Sequence, residues 1–198
     1  MDSKTQSEEK GFTIIEIVVS IFILTVALVG IFTALSIVVI ATSDSVDRLT
    51  ATYLAQEGME IVRNIRDTNW LKIKNEPGGG HSWIDNLGVN GANVCASGCE
   101  ADYTDVSLHP TTGNYLNLMD GFYVYETTNP SETKFQRKIK IAPVPDKDDI
   151  SSYIIKVVVE VSWNKKATLI EPAITAGAGS CPGANCVKVE ETLYNWYK

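Results

Sequence analysis

The sequence predicts an α+β fold: one long amino-terminal helix, over about residues 12–67, packed on a four- to five-stranded antiparallel sheet. Three observations predict it. From Phe12 to Ala41 the chain carries a single charge, Glu16, in an otherwise apolar run. Beyond that run Ala51, Leu54, Ala55, Gly58, Ile61, Val62 and Ile65 recur at three- and four-residue steps, with Asp47, Arg48, Gln56, Glu57, Arg63 and Asn64 between them, the pattern of a helix with one apolar face. From Tyr153 to Trp163 the period changes to two. Tyr153, Ile155, Val157, Val159 and Val161 make an apolar face, and Ile154, Lys156, Val158, Glu160 and Ser162 a more polar one, as in a strand of a sheet covered on one side.

The first element is long enough to span a membrane, because about 20 apolar residues rising about 1.5 Å each cross a hydrocarbon core of about 30 Å. An unpaired carboxylate inside such a segment costs at least about 2.5 kcal/mol and marks a functional partner, so Glu16 requires an explanation. The preceding residues, MDSKTQSEEK, are polar, and the small residue Gly11 stands before the apolar run. A secretory signal has the opposite order, with its cleavage site after the apolar stretch. A cut between Gly11 and Phe12 removes the polar leader and keeps the helix.

The residues beyond the apolar run suffice for one domain with its own core. The chain of 198 residues sets 24 Asp and Glu against 17 Lys and Arg, a net charge of −7, a field that does not favour generic binding of nucleic acid or anionic lipid. Cys95, Cys99, Cys181 and Cys186 lie far from the apolar run in two close pairs, which fits disulfides in an oxidising space. The cysteines place the head outside the cytoplasm. Charge bias orients the helix less clearly, since the leader offers only Lys4 and Lys10.

Gly11, Phe12, Thr13, Ile14, Ile15 and Glu16 resemble the leader-cleavage and methylation motif of type IV prepilins and type II secretion pseudopilins. The resemblance implies that a prepilin peptidase/N-methyltransferase cuts between Gly11 and Phe12 and methylates Phe12. It implies a cleaved leader over 1–11, a transmembrane and then filament-core helix over 12–43, and an extracytoplasmic pilin head over 44–198. Glu16 is then expected to neutralise the amino-terminal nitrogen of a neighbouring subunit, and the two charges offset each other's burial only when both are present. The implied partners are that peptidase, other pilins or pseudopilins through the amino-terminal helix, and the inner-membrane assembly platform. The implied location is the bacterial cytoplasmic membrane for the precursor, then a cell-surface or periplasmic filament. The stretch YLAQEGMEIVRNIRDTNW, Tyr53 to Trp70, is similar to minor pilins of the PilV type, as are KFQRKIKI, KVVVEVSW and the closing VEETLYNWY in their order. Many major pilins carry a proline in the membrane helix; here Gly30 is the only breaker of that run.

The remaining elements follow from turn chemistry. No proline interrupts the helical pattern before Pro77, and PGGG at Pro77 to Gly80 opens a loop-rich stretch that runs from Leu71 to Pro110. Tyr115 to Met119 and Phe122 to Glu126 flank Asp120-Gly121, a sequence suited to a two-residue hairpin turn. Lys134 to Ile141, Tyr153 to Trp163 and Cys186 to Tyr197 read as further strands, separated by Pro143, Pro145, the cluster Asp146 to Asp149 and a glycine-rich loop at Gly177 to Gly183.

Several residues invite a chemical reading. Each cysteine pair brackets a turn-forming sequence, so Cys95 with Cys99 and Cys181 with Cys186 is the favoured connectivity, a cross-link between the two loops being the alternative. The spacings are too wide for an ordinary four-cysteine zinc site, and no metal site is assigned. Asp146, Asp148 and Asp149 could offer oxygen ligands to calcium, but the cluster lacks the spacing of a calcium loop and reads as a solvated turn. Lys134, Gln136, Lys138 and Lys140 share one face of a strand, with Arg137 opposite. That row could meet DNA phosphates, although a solvated strand face that discourages edge pairing is the preferred reading, and nucleic acid is not expected as a partner. Trp70, Trp83, Trp163 and Trp196 read as packing residues. His81 and His109 are isolated, and no nucleophile constellation or phosphate loop stands out. No catalysis and no cofactor are expected. The implied function is structural: a minor type IV pilin in a pilus or its initiating tip complex. A type II secretion pseudopilin is the alternative, and a surface- or DNA-binding tip module is the alternative of another class.

Overall fold

In a computed structural model, residues 11–89, 94–125, 131–145, 153–164, 181 and 185–196 are described. The fold is α+β, one long helix with an antiparallel sheet, as expected. Helix α1 runs Ile14–Asn75. Two compact units divide the chain, one ending at Ser45 and the other comprising Val46–Lys198.

The helix extends about two turns past the expected end near Asp67. The physical reason lies in Asn69 and Trp70, which are both buried. Asn69 donates its side-chain amide to the carbonyls of Trp83, at 3.3 Å, and Asp85, at 2.6 Å, so burial and two hydrogen bonds hold a turn that local sequence alone leaves open. Termination then follows from the glycines: the amide of Gly79 donates to Glu76 O at 3.0 Å, and Gly78 takes φ +88°, a conformation that glycine adopts without strain.

In the second unit the main sheet contains β1 (Cys99–Glu100), β2 (His109–Pro110), β5 (Phe135–Pro145), β6 (Tyr153–Trp163) and β7 (Cys186–Leu193) in the order β2-β1-β5-β6-β7. Every pairing in it is antiparallel. The hairpin of β3 (Asn117–Met119) and β4 (Phe122–Val124) forms a separate two-stranded sheet. Its turn is the expected Asp120-Gly121, with φ +51° and +88°, the double positive φ of a tight hairpin turn. Two expectations are corrected here. The sheet draws β1 and β2 from the stretch read as loop, and the hairpin read as part of the sheet stands outside it.

A third correction concerns Pro143 and Pro145, expected as separators, which lie inside β5, opposite Ile155 and Tyr153. Proline is tolerated in a strand where its missing N–H would face an open edge. The carbonyls of Phe135 and Arg137 accept from Leu116 N and the Tyr125 hydroxyl, outside the β6 ladder, so odd-numbered residues of β5 turn their backbone groups away from β6. Both prolines share that parity. On that side, among the described residues, β1 meets β5 at Ile139 alone, and no described ladder lies beside the prolines. The Asp146 to Asp149 cluster, most of the glycine-rich loop, Glu126 and Tyr197 lie outside the described residues.

The core lies between the inner sheet face and the second half of α1. Ile155, Val157, Val159, Val161 and Trp163 on β6 and Ile139 and Ile141 on β5 are fully buried against a cluster that includes Ala51, Leu54, Ala55, Met59, Val62 and Ile65. Gly58 sets the approach, since a Cβ there would lie 2.9 Å from Val159 Cγ1 and 3.1 Å from Arg137 Cδ.

Candidate processing and assembly segment, and the network that holds the head

The first turn of α1 is built directly on the residues that carry the motif. Gly11, Phe12 and Thr13 precede the helix, and the Thr13 carbonyl accepts from Glu16 N at 3.1 Å and Ile17 N at 3.3 Å. Gly11 has no neighbour within 4 Å of a Cβ position, and Phe12 is 78% exposed. Among the described residues nothing covers the Gly11–Phe12 junction. Glu16 sits in the first helical turn, where the unpaired amides of the helix end favour a negative charge. Its carboxylate has no hydrogen bond or ion pair among the described residues; Ser20 Oγ donates to the Glu16 carbonyl, not to the carboxylate, at 2.7 Å.

Downstream, Ile14 to Val39 exposes its apolar side chains on all sides. α1 is long and apolar enough to cross a membrane by length and composition. The polar side chains inside the run are made compatible with apolar surroundings by bonding to their own helix. Ser20, Thr33, Ser36 and Thr42 donate to the carbonyl four residues back, and Thr25 to the one three residues back, at 2.7–2.9 Å. Each hydroxyl donor is therefore satisfied within the helix, as apolar surroundings would require. Glu16 is the exception.

The cysteines belong to the second unit. Cys95 is joined to Cys99 and Cys181 to Cys186, with Cα–Cα separations of 5.0 and 5.3 Å. Cys99 opens β1 opposite Ile139, and Cys186 opens β7 opposite Ser162.

A group that sequence reading left without a role holds the helix to this unit. Arg137 is 2% exposed on the inner face of β5. Its guanidinium donates to Ala101 O at 2.7 Å and to Leu54 O at 3.4 Å, and pairs with Glu57 at 3.2 Å. One side chain thus ties α1 to the disulfide loop. The signal was present in the alternation, because Arg137 shares the parity of Phe135, Ile139 and Ile141 and hence the buried face. The loop is tied onward: Asp102 accepts from Tyr125 N at 3.0 and 3.2 Å, and Tyr125 donates its hydroxyl to the Arg137 carbonyl at 2.7 Å. Burial raises the Asp102 carboxyl above its ordinary value, opposed by the Tyr125 amide, and burial likewise raises the Tyr125 phenol.

The lysine row is occupied within the chain. Lys134 pairs with Asp47 at 2.5 Å and Lys140 with Glu160 at 2.8 Å, Gln136 donates to Gly113 O at 2.8 Å, and the stem of Lys138 lies over Gly98. A phosphate would compete with these contacts. Across the sheet, hydrogen bonds from Lys188 and Lys156 pull the Glu190 carboxyl down to about 2. A cleft of about 550 Å³ between α1 and β7 is lined by Glu57, Glu60, Arg63, Glu190 and Glu191, among others. Its charges are paired: Arg63 bridges Glu60 and Glu191, with Glu191 Oε1 3.2 Å from Nε, and the Arg63 guanidinium is raised first by that Glu191 hydrogen bond. His81 meets Glu76 at 3.1 Å and His109 meets Ser107 at 3.5 Å. Trp70, Trp83 and Trp163 are buried, while Trp196 is exposed and packs on Trp70 with ring centroids 3.9 Å apart. Among the described residues no group of three or more His, Cys, Asp or Glu could hold a metal ion.

Residues 7–32 match the family model described as the prokaryotic N-terminal methylation motif. No curated protein and no solved structure matches the chain. The matched segment spans the Gly11–Phe12 junction, Glu16 and the first turns of α1, and it supports a type IV pilin-like prepilin, a subunit of the pilin or pseudopilin kind.

Proposed function

We propose that this chain is a minor type IV pilin. It is made as a membrane-inserted precursor with its head outside the cytoplasm, cut between Gly11 and Phe12 by prepilin peptidase and methylated at Phe12. It is then passed through the inner-membrane assembly platform into a pilus or its initiating tip complex. One observation carries the reading: a methylation motif at 7–32 opens a helix whose apolar side chains are exposed from Ile14 to Val39, with one carboxylate in its first turn that has no partner among the described residues. An apolar surface of that extent requires lipid or protein as its surroundings. A lipid-held helix supplies the first and a filament core of like helices the second. Glu16 costs free energy in the first state and gains a partner, the amino-terminal nitrogen of Phe12 on a neighbour, in the second. The head, with its own buried core, then sets the position that the subunit takes.

Mass spectrometry of the protein recovered from the native envelope tests the processing steps. The first residue is expected to be N-methylated Phe12, and an intact Met1 on the assembled protein refutes the reading. Deletion of the chain separates the two filament systems: loss of surface pili assigns the pilus, and loss of protein export with pili intact assigns a type II secretion pseudopilin. A DNA-binding tip module is tested by retention of the protein on DNA at low salt, and the intramolecular pairing of Lys134 and Lys140 weighs against it.

A further inference from the structure

The two disulfides close similar small loops, but their surroundings differ. Cys95 and Cys99 are both 0% exposed and belong to the core cluster. A Cβ on Gly88 would lie 2.4 Å from Cys95 Sγ, so the backbone of that loop rests directly on the sulfur. The Cys95 amide donates to the Gly88 carbonyl at 3.4 Å, and Cys99 is locked into the sheet opposite Ile139. Cys181 and Cys186 are each only partly buried and stand at the start of β7, the terminal strand of the main sheet. There the ladder begins with Ser162↔Cys186 and Val161↔Val187, preceded by the Trp163 amide donating to Asn185 O at 3.2 Å. The far end of β7 is held independently, by Arg63 on Glu191 and by buried Leu193.

Thiol–disulfide exchange requires a thiolate to reach a sulfur in line with the S–S bond, so access decides which disulfide reacts in the folded protein. We propose that the two bonds have separate roles: Cys95–Cys99 is a sealed core bond, and Cys181–Cys186 is a redox-responsive fastener for the start of β7. A dithiol reductant is the reactant. One of its thiolates attacks Sγ of Cys181 or Cys186, the S–S bond breaks, and the departing cysteine thiolate takes up a proton. The second thiol of the reductant then resolves the mixed disulfide, leaving two protein thiols and the reductant oxidised to its disulfide. Opening this bond releases the first residues of β7 from β6 and leaves the β5–β6 ladder, the Arg137 ties and the core in place. Cys95–Cys99 reacts only when the Gly88 loop and the core open, which places it among the most protected parts of the head.

The experiment uses the full-length protein in detergent micelles, dithiothreitol without denaturant, alkylation with N-ethylmaleimide and peptide mass spectrometry over time. Cys181 and Cys186 are expected to be labelled at least about tenfold faster than Cys95 and Cys99. Denaturant is expected to abolish the difference. Equal rates under native conditions, or earlier labelling of Cys95 and Cys99, overturn the proposal. Hydrogen exchange on the selectively reduced protein, and on the C181S/C186S double variant, tests the fastening. Faster exchange at Val187, whose amide lies in the ladder opposite Val161, with Val157 and Val159 still protected supports it, and unchanged exchange at Val187 overturns it.

Discussion

The two halves of α1 have the same backbone and opposite surfaces. From Ile14 to Val39 every apolar side chain is exposed, whereas from Ala51 to Trp70 every third or fourth residue is buried against the sheet. The second half is complete within the monomer, because its apolar face meets β5 and β6 and its polar face carries Arg63, Arg66 and Asp67 with partners of their own. The first half is incomplete. Among the described residues nothing covers its apolar surface or pairs its single carboxylate, and in the proposed reading lipid or other chains do so. Stability of the head and competence for assembly are therefore separable properties written on one continuous helix.

The comparison is broken most severely at Arg137. Arg137→Ala removes charged hydrogen bonds to Ala101 and Leu54 and leaves a cavity, so the head is expected to lose about 3–5 kcal/mol in chemical denaturation. Membrane insertion of the first half should not change. Arg137→Met, which keeps volume, is expected to lose less. The reciprocal change is Glu16→Ala. Incorporation into filaments, measured by quantitative blotting of sheared pili, is expected to fall on the order of tenfold to a hundredfold, the equivalent of about 1.4–2.7 kcal/mol. The unfolding midpoint of the head should stay where it was, and a coupled loss of both would defeat the separation.

A matched pair of glycines sharpens the contrast further. Gly58→Ala places a Cβ 2.9 Å from Val159 and 3.1 Å from Arg137 and is expected to destabilise the head by about 1–3 kcal/mol. Gly30→Ala meets nothing within 4 Å and is expected to strengthen the isolated helix by up to about 1 kcal/mol. Circular dichroism melts of the two variants in the same detergent should move in opposite directions. The smallest effect is expected at Glu190. Its carboxyl lies near 2 in the folded protein against an ordinary 4.5, because Lys188 and Lys156 donate to it. The contribution is thus present above about pH 4.5 and is lost as the pH falls toward 2. Glu190 and both lysines lie at the solvent-exposed surface, so Glu190→Gln should flatten the acid limb of the stability curve only slightly, and less in high salt.

Much of the fold was legible in sequence because it rests on local chemistry. The apolar run predicts a helix at any depth, the alternation from Tyr153 to Trp163 coincides with β6, and Asp120-Gly121 forms the expected turn. The misreadings share one cause: they depend on neighbours distant in sequence. Cys99–Glu100 and His109–Pro110 are strands only because each pairs with a partner, and two residues carry no period. Pro143 and Pro145 stop a central strand but not an edge, and which edge is open is a property of the sheet. The helix continues past Asp67 because the carbonyls of Trp83 and Asp85 come within reach of Asn69.

At the amino terminus, sequence alone determined the essentials: Gly11 before an apolar run, Phe12 at its start and one carboxylate at Glu16, since peptide recognition and membrane length are read along the chain. What only the tertiary structure decided is the work of the head. It buried Arg137 as the tie between helix, loop and sheet, engaged the lysine row in internal pairs, and sealed one disulfide while leaving the other within reach. Those outcomes depend on which side chains meet across the fold, and burial is a property of the packed chain rather than of any single stretch of it.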